Sequence, residues 1–374
     1  MVGIATGALL VLTAVTVVLA AVIIFGRAAR RIGDARRARL AAPARRALLA
    51  LAAGDDEQAN FTTLARLEPG VWRAVEPTAV ALLGKVRGEA RAVLVSVFEE
   101  RGSGERALRQ TRRAGAVRRA RAAEVLGNLR RRDAVPTLVA LLADPDPDVR
   151  AVTARALGRI ADPTAVPALL ASLVGPRPVP PQAVADAVLR IGADGRDALV
   201  GALDHPAELV RVTAVEVLGL VGAITAAGRV IEVLSGDASP AVRARAAVTL
   251  GRLGTRQSLG PLLTAVEPTQ PPALRAAAAR ALGDLGAVAA APALGTLLAD
   301  PDHDVAHAAA YALLRMGDAG RAALARAAHA APAGSDPPVE TATARAGAYA
   351  REALAVAELE ARRRVGAAAA AAVR

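Results

Sequence analysis

Three groupings in this 374-residue chain have residue types that could do chemistry. His303 and His307 stand four apart beside Asp304, a spacing that puts two imidazoles and a carboxylate at one helix start, where they could hold a divalent cation. Two ligands do not close a site and a third is not evident, so an exposed turn is the competing reading. Gly84-Lys85 has the ending of a phosphate-binding loop. Ala79 stands where that loop needs its first glycine and Val86 where it needs Ser or Thr. Gly102 and Gly104 lack the third glycine of a dinucleotide loop. Asp and Arg recur along the chain and could supply acids and electrostatic partners. Their regular period points instead to helix caps and an Asp–Arg ladder. There is no cysteine, which excludes disulfides and thiolate metal sites. No cofactor or metal is called for, and the chain reads as a non-enzyme.

The elements that would position these residues are short helices in pairs. Residues 144–173, "DPDPDVRAVTARALGRIADPTAVPALLASL", show the unit. Val149, Val152, Ala156, Leu157 and Ile160 recur at helical spacing on one face. Asp148 is placed to cap the start. Gly158 and "ADPT" break the helix, and Pro163 suits the first turn of the next. Val166, Leu169, Leu170 and Leu173 then form a second stripe. Val-Arg or Leu-Arg recurs at Arg118, Arg150, Arg211, Arg243 and Arg275, and a closing glycine at Gly127, Gly158, Gly192, Gly219, Gly251, Gly283 and Gly317. Seven pairs follow over 114–330, none able to bury its stripe alone. "GPRPVPP" (175–181) and 268–272 read as longer loops between pairs, the first extended as polyproline II.

The motif D-x-x-V-R-x-x-A-x-x-A-L-G-x-[LI], followed by A-x-P-x-L-x-x-L-L, resembles the HEAT-repeat family, in the short form found in phycobilin lyases. The resemblance implies an all-α fold, a right-handed α-solenoid of HEAT-type helix pairs, whose second helices line the concave face. Positions on those helices that point away from the stripes are then the candidate partner-binding residues: Thr137 and Ala140, Ala168 and Ala171, Arg229 and Glu232, Ser258 and Thr264, and Thr296. They are small and nearly uncharged. Such a surface suits a helix or extended segment of another protein rather than phosphates or a reacting substrate.

Residues 2–26 carry no charge. As a helix they would span about 37 Å, enough for the roughly 30 Å apolar core of a bilayer. A cleaved signal peptide needs a basic start and a shorter apolar run. The expectation is a retained single transmembrane helix over 1–26. A basic juxtamembrane segment follows over 27–50, with Arg27, Arg30, Arg31, Arg36 and Arg37 leading a net charge of +7. By the positive-inside rule this flank is cytoplasmic. That places the protein in the bacterial inner (plasma) membrane as a single-pass protein, N-terminus outside and solenoid in the cytoplasm. The same arginines are suited to anionic lipid headgroups. Gly3 and Gly7 form a GxxxG at the outer end of the span, a weak dimerisation signal.

Residues 51–113 look helical but out of register, as degenerate capping repeats. Phe61, Trp72 and Phe98 fall there, read as packing rather than as a pocket. Residues 101–133 form a second basic region of net charge +8, out of +12 for the chain. A basic helix can meet nucleic acid, a membrane surface or an acidic protein. No aromatic residue lies between 99 and 310 to stack bases, which disfavours nucleic acid. The segment 331–374 reads as a last helix, capped by Asp336 and Pro337, with a frayed Ala-rich tail. The reading is a membrane-anchored cytoplasmic scaffold for a membrane-associated protein partner. Its alternatives are a nucleic-acid or anionic-surface binder using 101–133, and a non-catalytic relative or subunit of a lyase-type enzyme. Oligomeric state and pathway have no signal.

Overall fold

The computed structural model describes residue 42 and residues 44–55, 57–330 and 341–372. All regular elements among them are helices. No described helix is long and apolar enough to cross a membrane, and the expected span at 1–26 lies outside the described residues. So do Arg27, Arg30, Arg31, Arg36 and Arg37. The chain divides into two compact units at 131/132, inside the expected first pair.

The first unit holds α1 (44–53), α2 (Glu57–Ala65), α3 (Pro69–Leu83), α4 (Gly88–Glu100), α5 (Ser103–Gln110) and α6 (Ala116–Leu129). Its core is leucine-rich and centred on Trp72 and Phe98, whose rings meet edge to face at 5.1 Å. Both are buried, so the packing reading of these aromatics holds. α3 starts at Pro69 and runs through Pro77.

The second unit holds the pairs. First helices are α8 (Pro147–Ile160), α10 (Pro181–Ile191), α12 (Glu208–Leu220), α14 (Pro240–Leu253), α16 (Pro272–Asp284) and α18 (His303–Arg315). Second helices are α7 (Val135–Leu141), α9 (Val166–Ala171), α11 (Arg196–Gly201), α13 (Ala227–Gly236), α15 (Leu259–Ala265), α17 (Ala291–Leu297) and α19 (Gly317–Ala330). A single 3-10 turn leads into each second helix from α7 to α17, as at Pro163–Ala165 before α9. First helices pack against their successors in the next pair, and Leu157 in α8 is fully buried.

The recurrent glycine proves to be two positions. Gly158 does not break its helix; it lies within α8. A β-carbon there would stand 2.7 Å from the Ala187 Cα on α10, and Gly251 and Gly283 meet Ala281 and Ala312 at 2.8 and 2.6 Å. These glycines let successive first helices touch backbone to backbone. Gly192 and Gly317 have positive φ and instead stand where a helix ends. Ala161 and Arg130 do the same at the equivalent place, where side chains pay a steric cost.

The caps shift too. Asp146, not Asp148, caps α8, accepting from the Asp148 and Val149 N–H groups at 2.9 and 3.2 Å. α20 (Ala342–Ala372) begins after Thr341, whose hydroxyl accepts from the Ala344 N–H at 3.2 Å. The expected capping pair Asp336–Pro337 lies outside the described residues, and the Ala-rich tail continues the helix to 372 rather than fraying at 366. α20 packs on α18 and α19 and buries Ala350 and Ala353.

The Val-Arg count needs one correction. Val117 is 82% exposed, whereas Val149, Val210 and Val242 are fully buried. Arg150, Arg211, Arg243 and Arg275 each precede the packing glycine by eight residues; Arg118 precedes Gly127 by nine. Arg119 therefore holds the repeat position in α6, and Arg118 is displaced to the surface.

Candidate functional site

The recurrent Asp and Arg belong to the scaffold. Arg211 grips Asp237 with two hydrogen bonds of 2.7 and 2.9 Å, and Arg275 grips Asp300 at 2.9 and 2.7 Å. Each ties the start of a first helix to the loop that ends its own pair. Where that loop lacks the aspartate, another acceptor replaces it. Arg243 donates to the Gln270 Oε1 at 2.8 Å, and Arg150 to the carbonyls of Asp144, Pro145 and Pro178. The ladder thus holds at two rungs and is rebuilt at two others. Burial alone would raise the Asp237 carboxyl. The Arg211 guanidinium and the Ser239 N–H outweigh it and hold the pKa below the usual carboxylate range.

His303 and His307 lie on the first turns of α18, both exposed. His303 Nδ1 is 2.7 Å from the Tyr349 hydroxyl on α20, and the His307 ring lies 4.4 Å from Tyr311. Among the described residues no group of three ligating side chains could hold a metal. His303 links α20 to the end of the array, and His307 packs within α18 against His303 and Tyr311.

The second helices form a row of neighbours, with α9 against α11, α13 against α15 and α17 against α19. Their apolar stripes are inside: Leu138, Leu169, Leu199, Val230, Leu262 and Leu294 are fully buried. Thr137 and Ala168 are half-buried, and Ala140, Ala171, Glu232, Thr264 and Thr296 are exposed. Most of these candidate positions are alanine or threonine. One candidate leaves the row: Ser258 is fully buried, its hydroxyl 2.6 Å from that of Thr255 in the turn that leads into α15. The periodic count placed it on the helix, but the 3-10 turn rotates it inward. Arg229 is one charged point of the row, besides the Arg196–Asp197 pair on α11 and the Asp318–Arg321 pair on α19. It bonds Asp204 at 2.9 and 2.8 Å and also pairs with Glu232, so the three charges largely satisfy one another.

Part of the 101–133 basic region is structural, which charge counting missed. Arg101 donates to the carbonyls of Leu64, Ala65 and Leu67, tying down the end of α2, and stacks on Trp72 at 4.8 Å. Burial, then the charge of Arg106, lowers its pKa. Arg131 pairs with Glu105 at 2.7 Å. A hint was present in the sequence: Arg101 stands three residues beyond the apolar run that ends at Phe98.

The family comparison follows the same period. The family model for HEAT repeats matches residues 106–188, 196–270, 229–315 and 259–348, more than half of the chain. The chain belongs to the HEAT-repeat family. Several solved structures show similarity at low identity. A variant of Kap121p is 13% identical at a TM-score of 0.49, over 74% of this chain and 35% of that one. The CpcE–CpcF complex of phycocyanin lyase from Nostoc sp. is 24% identical at a TM-score of 0.28, over 59% and 88%. Human deoxyhypusine hydroxylase is 21% identical at 0.30, over 74% and 96%. This HEAT-repeat chain spans about a third of the length of Kap121p. The comparison with curated proteins finds no match.

Proposed function

We propose that this HEAT-repeat chain is a non-catalytic scaffold that binds another protein along the row of second helices. The observation that carries the reading is the surface of that row. Thr137, Ala168, Ala171, Thr264 and Thr296 set small, exposed or half-buried side chains over buried stripes, and the charged groups Asp204–Arg229–Glu232, Arg196–Asp197 and Asp318–Arg321 along these helices pair among themselves. Small side chains allow a helix or extended segment to approach closely, and they supply no convergent polar groups for a reacting substrate. The recurrent carboxylates are committed to holding loops, which removes the most frequent candidate acids from chemistry.

The uncharged stretch 2–26 and the arginines from Arg27 to Arg37 support a tether to the bacterial inner membrane, with the array in the cytoplasm and a membrane-associated partner. The binding experiment compares two bulky replacements. Ala168→Trp lies on the second-helix row, and Arg155→Trp on the exposed side of α8. Crosslinking-coupled partner capture is expected to fall with Ala168→Trp and persist with Arg155→Trp. The opposite pattern would move the site to the first helices.

A further inference from the structure

The structure sets four arginines around one concavity in the first unit. A cavity of about 370 Å³ is lined by Arg106, Arg109, Gln110, Arg113 and Arg118, with no carboxylate on its wall. Three features make this more than a solvated basic face. First, the nearby acids are engaged elsewhere: Glu105 holds Arg131, and Glu76 accepts from Ser103 and Trp72. Second, Arg106 is already positioned, its Nη2 donating to the Arg101 carbonyl and the Ser103 hydroxyl at 3.0 and 2.9 Å. Third, Arg118 is present by the one-residue displacement of α6. Its repeat position belongs to Arg119, so Arg118 and the exposed Val117 are directed outward at no benefit to the core.

The electrostatics favour an anion from outside. α6 starts at Gly115 with no side-chain cap and no acidic residue in its first turn. α10 and α16 start the same way, whereas α8, α14 and α18 are capped by Asp146, Ser239 and Asp302. The positive end of the α6 dipole thus adds to four guanidinium groups. Like charges around one concavity repel, and a single anion of charge near −2 relieves more of that than one carboxylate. Guanidinium forks match phosphate oxygens in bidentate geometry. The lining has no aromatic ring, so nothing there reads a base.

We propose that this cavity binds a phosphomonoester group, carried by a soluble phosphate compound or by a lipid headgroup. The site is independent of the second-helix surface. The test uses the full chain with inorganic phosphate as probe, reading affinity by calorimetry and thermal shift against chloride at matched ionic strength. Phosphate is expected to bind and raise the melting temperature, and Arg113→Gln with Arg118→Gln to weaken binding about tenfold or more per guanidinium removed. Arg155→Gln, outside the cavity, is expected to change nothing. If the double variant loses helicity by circular dichroism, Arg109→Gln alone serves. Vesicles of phosphatidylcholine with and without phosphatidic acid separate the sources. An arginine-dependent gain from phosphatidic acid assigns the headgroup, and its absence alongside phosphate binding assigns a soluble ligand. The proposal is overturned if chloride reproduces the stabilisation, if the variants bind phosphate like the parent, or if an oligoglutamate peptide of equal charge binds as tightly, which would assign an acidic protein segment.

Discussion

Gly283 has no room for a side chain, because the backbone of α18 occupies the place a β-carbon would take. Overpacking of this kind typically costs about 1–3 kcal/mol, and here the obstructing atoms are backbone. Gly283→Val is therefore expected to lower the urea midpoint sharply. Gly295→Ala, in α17 with open space around it, is expected to be neutral or slightly stabilising, by up to about 1 kcal/mol. A second residue-scale prediction concerns acid. The folded pKa of Asp237 is depressed by Arg211 and Ser239 despite burial. Its contribution to stability is thus fully present above the unfolded carboxyl value of about 3.9 and is lost as pH falls through the folded value. Asp237→Asn should lower the urea midpoint at neutral pH, and the gap from the parent protein should close as the pH falls below about 4. A gap that stays constant with pH would mean that the Arg211 pair contributes little.

Among the elements, α20 differs from the repeats in length and in place. It lies on α18 and α19 at the end of the array, buries Ala350 and Ala353, and is held by the His303–Tyr349 hydrogen bond and by Arg345 and Arg351 donating to the Ala299 and Ala328 carbonyls. At the packing-glycine position of α18 stands Leu314, which lines the roughly 450 Å³ cavity shared with Val356 of α20. A leucine there keeps another first helix from stacking as closely as those before it, and α20 takes the place instead. Terminal caps of this kind keep solenoids soluble. Truncation before Thr341 should expose the apolar flank of α18 and α19. The expected result is a lower melting temperature and concentration-dependent association in sedimentation velocity. A monomeric, equally stable truncation would show that α20 is dispensable to the array.

At the scale of the whole molecule, the proposed tether makes the chain a device for holding a partner at a membrane. Charge asymmetry is the motivation: residues 2–26 are uncharged and eight arginines follow within 27–50. Such a flank stays on the cytoplasmic side. A reporter active only in the cytoplasm, fused after Arg374, should be active, and its periplasm-active counterpart silent. The reverse pattern would place the array outside. Removing residues 1–26 should release the chain from the membrane fraction without changing the helicity of the array, since repeats are stabilised by their neighbours rather than by a distant segment.

Much of this was legible in the residues alone. Val149, Leu157 and Leu169 lie at helical spacing, and burial follows spacing because one face of a helix must leave water. The repeat period and its pairing of helices are visible for the same reason, and the family match follows that period. Other features needed contacts between residues far apart in the chain. A glycine inside a helix and a glycine that ends one look alike in sequence, so Gly158 and Gly192 were separated only when α10 was seen against α8. Ser258 turned inward because a single 3-10 turn changes the rotation per residue that a helical count assumes. The basic stretch divided in the same way. Arg101 found carbonyls and an aromatic face 29 to 37 residues away, whereas Arg118 was moved outward by a register set at Gly127. Local spacing encodes which face a residue occupies; only packing between elements decides what that face meets.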